Sequence, residues 1–180
     1  MAKVATIKYK NHLSQLHRVP KRDLLMAWHN LGMPSDRDFY ECFRHVWISS
    51  EGASNNKSLW LIMIESTRPG KEKWLMTKEE LALLTTFPDR VPVYRGCSVN
   101  KVNGLSWTTD REKAIWFGNR FNFGSGDPPF DKECCLVSGE IAKQDIFAVF
   151  LERNESEVVC DPKKVKRKKK EILAVPDSHK

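Results

Sequence analysis

Val91–Gly96 reads "VPVYRG" and Gly104–Phe121 reads "GLSWTTDREKAIWFGNRF". The first stretch gathers β-branched and aromatic residues into a short run closed by glycine, the pattern of a strand entering a turn. The second begins with another such run and then changes period. Thr109 and Glu112 have the spacing of a capping box, and Ala114, Phe117 and Phe121 fall on one helical face. Downstream, "CCLVSGEI", "DIFAVFLE" and "SEVVCD" return to short apolar runs separated by Gly, Asn and Asp.

Ahead of Arg90 the signals are helical. "PKRDLLMAWHNLG" opens at Pro20 and closes at Gly32, and Ser35 with Asp38 forms a capping pair before Phe39, Phe43, Val46 and Trp47 at helical spacing. The apolar run "LWLIMI" suits a strand or a buried helical turn equally. Thr77 and Glu80 form a capping box, Met76 and Leu81 a hydrophobic staple, and Pro88 ends that helix. These signals predict an α+β fold. A helical region over residues 1–88 precedes a strand-rich core with a basic C-terminal segment over 89–180, expected as two small packed sheets within one compact domain.

A chain of 180 residues can bury a core without metal or disulfide staples. No apolar run approaches the ~18 residues that span a bilayer, and "MAKVATIKYKNHLSQLH" lacks the apolar segment of a secretory signal. A cytoplasmic protein without a membrane partner is expected. Cys42, Cys97, Cys134, Cys135 and Cys160 are odd in number and show no C-x-x-C spacing, which predicts reduced thiols and no metal. His12, His17, His29, His45 and His179 are scattered without triad or metal spacing. Cys97 reads as a small buried residue, since no partner base accompanies it.

The formal net charge is +7, and Lys163–Lys170, "KKVKRKKK", holds seven cations. Such a run attracts phosphate or an acidic surface, or serves as a solvated loop or tail. In "RNESEVVCDP", Glu155 and Glu157 stand two apart. On an extended strand both carboxylates would crowd one face. A solvated edge would tolerate that arrangement, and a site that stabilises positive charge would require it.

Taken in order, "VYRG", "GLSWTTD" and "NESEVV" resemble the mono-ADP-ribosyltransferases of the arginine–serine–glutamate type, and "GLSWT" before a helix with Ala and Phe is similar to phage-encoded members. The resemblance spans roughly Val91 to Asp161. It implies an ADP-ribosyltransferase-like core, NAD as substrate without a metal, and transfer of ADP-ribose to a macromolecular acceptor, a protein (often at arginine) or RNA. For a phage protein this would occur in the host cytoplasm. Glu157 would stabilise the cationic ribose formed as nicotinamide leaves, and Glu155 would orient or deprotonate the acceptor. Arg95 would grip the pyrophosphate with its planar fork, and Gly96 would let backbone approach the nicotinamide.

Ser106 and Thr108 would line the crevice, although the same residues suit a strand end leading into a helix cap. Trp107 should face the core. Phe117 and Phe121 suit a helix's core face, and the loop Asn122–Phe130 offers Phe123 or Phe130 for stacking on nicotinamide. The same site with water as acceptor would be an NAD glycohydrolase. A basic nucleic-acid-binding module, with Lys163–Lys170 on phosphate and the glutamates incidental, is the reading from another class.

Overall fold

The computed structural model describes residues 26, 35–49, 56–119, 133–152 and 155–173. The chain divides into two compact units, Met1–Leu81 and Ala82–Lys180.

In the first unit, α1 (Asp36–Ser49) begins at the expected pair, with the Asp38 amide donating to Ser35 Oγ at 3.1 Å. Its buried Phe43 and Trp47 meet Trp60 of α2 (Lys57–Ile64), the two Trp rings edge to face at 4.8 Å. "LWLIMI" is therefore helical; a short apolar run takes the form that lets Trp60, Met63 and Ile64 reach a core together. A one-turn α3 (Lys71–Trp74) leads to α4 (Lys78–Thr86), within which the first unit ends. The capping box at α4 is formed in both directions: Glu80 N donates to Thr77 Oγ1 at 3.2 Å and Thr77 N to Glu80 Oε2 at 2.7 Å. Glu80 is buried, and the Arg44 guanidinium compensates its charge, with Nη2 3.1 Å from Oε1. The proposed helix at Pro20–Gly32 lies outside the described residues apart from Met26.

The second unit is built on strands β1 (Arg90–Ser98), β2 (Ser106–Thr108), β3 (Cys134–Ala142), β4 (Ala148–Phe150), β5 (Glu157–Val159) and β6 (Lys166–Ile172), with α5 (Arg111–Asn119) between β2 and β3. Among the described residues they form one antiparallel sheet in the order β4-β5-β2-β1-β3-β6, in place of the two sheets expected. The short β2 accounts for the difference. All three of its residues pair with β5 and Thr108 pairs also with Tyr94 of β1, which joins what would otherwise be two sheets.

One face of the sheet carries Val91, Val93, Cys97, Trp107, Val137, Val149 and Val158, the main core. Trp107 is buried there as expected, with its indole N–H on the Gly104 carbonyl at 2.9 Å. The other face of β1 and β3 is covered by α5. That helix lies so close that a Cβ on Gly96 would sit 1.7 Å from the Ala114 carbonyl oxygen and 2.4 Å from the Gly118 nitrogen. Burial on both faces explains why "CCLV" at the start of β3 is continuously apolar. The cap of α5 is Asp110, whose Oδ1 accepts from Lys113 N at 3.0 Å, and not the Thr109–Glu112 box. The chain leaves β2 one residue later than that pairing requires. β6 was not foreseen: the basic run is an outer strand, exposed along its whole length.

Candidate functional site

Position in the sheet decides which of the candidate residues meet. Tyr94 of β1 stands opposite Thr108 of β2, Thr108 opposite Glu157 of β5, and Glu157 opposite Phe150 of β4. Residues opposite one another on adjacent antiparallel strands share a face. Tyr94, Thr108 and Glu157 therefore form one row, and Ser106, two residues before Thr108, projects from the same face.

Thr108 joins the distant parts of this row. Its buried hydroxyl donates to the Glu155 carbonyl at 3.0 Å and accepts from Asp110 N at 3.1 Å. One side chain thus holds both the Glu-x-Glu segment and the entry to α5. The hydroxyl takes the cap-like role at Asp110 N and also holds the Glu155 backbone.

The two glutamates do not lie on one continuous strand. β5 begins at Glu157, and Ser156 takes a left-handed conformation with φ 44. Non-glycine residues adopt that region at a cost, and such positions gather where geometry is constrained by function. The turn breaks the period-two alternation that would place Glu155 and Glu157 on one face of a continuous strand. Both carboxylate residues are half-buried.

Arg95 departs from the expectation. It follows Tyr94 on a strand that pairs with β3 without interruption, so it leaves from the opposite face, between Val93 and Cys97. Two of its donors go to backbone: Nη1 donates to the Ser106 carbonyl at 2.6 Å and Nε to the Lys101 carbonyl at 3.2 Å. A Cβ on Gly104 would sit 2.0 Å from the Arg95 Cζ, so glycine there admits the guanidinium. Arg95 braces the β1–β2 connection and the backbone of Ser106. Gly96 likewise admits the backbone of α5 where a ligand was expected. Phe121, Phe123, Phe130 and the whole loop Asn122–Phe130 lie outside the described residues.

Tyr94 joins this row, and its signal lies in the sequence: alternation along "VYRG" sends Tyr94 and Arg95 to opposite faces, so only one of them can share a face with Glu157. All five cysteines are free and buried. Burial pushes the Cys97 thiol up to about 11, despite the nearby Arg95 guanidinium that pulls it down. A thiol held protonated in this way is a packing residue and no nucleophile. Among the described residues no group of three or more His, Cys, Asp or Glu is arranged to hold a metal ion, and no helix is long and apolar enough to cross a membrane. Comparison with family models, curated proteins and solved structures finds no match to this chain.

Proposed function

We propose that this chain cleaves NAD and transfers ADP-ribose to a macromolecular acceptor, as a mono-ADP-ribosyltransferase. One observation carries the proposal. The Ser-Trp-Thr strand and the Glu-x-Glu segment, 47 positions apart at the Thr108–Glu155 hydrogen bond, stand side by side with Glu157 directly opposite Thr108.

In the proposed reaction the bond between the ribose C1′ and the nicotinamide nitrogen breaks, and its electron pair leaves with nicotinamide. The ribose is left cationic, and the Glu157 carboxylate stabilises that charge as it develops. A nucleophile of the acceptor bonds to C1′ and gives its proton to Glu155. Ser106 and Thr108 fix the ribose and the glutamate segment, and Arg95 acts through the backbone of Ser106. The cytoplasm, where buried thiols stay reduced, is the proposed place of action, in the host if the chain is a phage factor.

Incubation with labelled NAD and a cell lysate tests the proposal. Label entering protein or nucleic acid is expected. Release of free ADP-ribose alone would reassign the site to an NAD glycohydrolase. Glu157→Gln should lose about 10²- to 10³-fold in turnover with NAD affinity nearly intact, because the lost charge acts only in the transition state. Full turnover in that variant would overturn the assignment.

A further inference from the structure

We propose that β6 is a docking surface for the phosphate backbone of duplex nucleic acid. Lys166, Arg167, Lys168, Lys169 and Lys170 follow one another on this outer strand, and all are exposed. At about 3.3 Å per residue they cover about 13 Å, a length over which duplex DNA presents about eight phosphate charges.

Part of this charge is compensated locally: Glu171 follows on the same strand and Glu140 stands opposite Lys166. Arg167 meets Glu140 at 3.3 Å and Lys164 meets Asp145 at 3.6 Å, the cations exposed and the carboxylates half-buried. The Lys168 ammonium donates to Asn103 Oδ1 at 3.0 Å and to the Pro162 carbonyl at 2.8 Å. Lys169 and Lys170 have no side-chain hydrogen bond or ion pair among the described residues. Standing opposite Ser138 and Val137 respectively, they leave the strand on opposite faces, so positive charge wraps the rim of the sheet.

The local geometry selects the occupant. An acidic peptide added as a further strand needs a regular edge, but Arg167 is left-handed with φ 51 and the register shifts between Ser138 and Glu140. Lysines along an edge also oppose strand addition. A single-stranded nucleic acid gains much of its affinity by stacking on aromatic side chains, and Lys166–Ile172 contains none. Charge without stacking favours the regular phosphate array of a duplex.

The test is titration of the full chain against a short fluorescein-labelled DNA duplex by anisotropy, across a salt series and without NAD, so that its failure is separate from failure of the NAD-cleavage proposal. The unmodified chain should bind with log K falling linearly in log salt. Lys169→Gln with Lys170→Gln should lower the steepness of that line by about 1.8, two phosphate contacts at ~0.9 each. Lys169→Arg with Lys170→Arg should bind like the parent. Absence of duplex binding, or an unchanged salt slope in the glutamine variant, would overturn the proposal. Competition by polyglutamate as strong as by unlabelled duplex would overturn it in favour of an acidic protein, and stronger competition by a single strand would overturn the duplex assignment.

Discussion

Thr108 serves two backbone partners with one hydroxyl, the Glu155 carbonyl and the Asp110 amide. Thr108→Val keeps the shape and strands both. A buried polar group left without its partner costs about 1–3 kcal/mol, so the variant should melt measurably lower and also lose transfer activity as the Glu155 segment loosens. Glu155→Ala should impair transfer to a macromolecule more than hydrolysis to free ADP-ribose, since its proposed partner is the acceptor; chromatography of both products from one reaction checks this, and equal losses would make Glu155 a support of the turn at Ser156. The buried thiols make a separate prediction about pH. Burial raises Cys97 to about 11 and Cys160 to about 12, against an ordinary value of 9.0. Both groups bind protons more tightly folded than unfolded, so stability is full below pH 9 and falls as pH rises toward the folded values. Between pH 9 and 10 each thiol should remove about 1 kcal/mol. The urea midpoint of the parent should drop over that range more steeply than that of Cys160→Ala, compared at each pH with its own value at pH 8.

At the scale of elements, the docking of α5 on β1 is the contact most open to test. Gly96→Ala would drive a methyl into the Ala114 carbonyl and the Gly118 nitrogen, both backbone and unable to yield separately from the helix. Overpacking costs about 1–3 kcal/mol where side chains can adjust, and more where they cannot. At Gly118 the nearest atom is Leu173 Cδ1, the end of a flexible side chain, with Gly96 Cα at 3.4 Å. Alanine there also gains about 1 kcal/mol of helix propensity. Thermal melts should therefore rank Gly96→Ala far below Gly118→Ala; equal melting temperatures would mean that α5 is not held by this contact. The elements themselves were legible to different degrees. The Ser35–Asp38 and Thr77–Glu80 caps are formed as read, because a cap needs only its own few residues. The cap of α5 moved to Asp110 because Thr108, two residues earlier, is held in the sheet by β1 and β5.

For the molecule as a whole, the formal net charge of +7 equals the seven cations of Lys163–Lys170, so neutralising all of them leaves 0. β6 is also an outer strand, where lysine guards against pairing with other chains. Replacing all seven cations by glutamine should therefore cause association near neutral pH, seen as rising light scattering with concentration; a variant that stays monodisperse would show that the run has no protective role. The same run shows where sequence alone stops. Hydrophobic period identified five of the strands, the switch from helices to strands near Arg90, and the burial of Trp107 and Cys97, since each depends on which residues avoid water. It did not identify β6, which buries no side chain of its own and is held by backbone bonds to β3. The resemblance of "GLSWTTD" and "NESEVV" to the arginine–serine–glutamate type also brought forward Glu155, Glu157, Ser106 and Thr108 as a set. Only the tertiary structure decided that Glu157 stands opposite Thr108, that Tyr94 and not Arg95 shares their face, and that Ser156 turns the chain between the two glutamates. Those facts depend on strand register and on the conformation of single residues, which are fixed by partners distant in the chain.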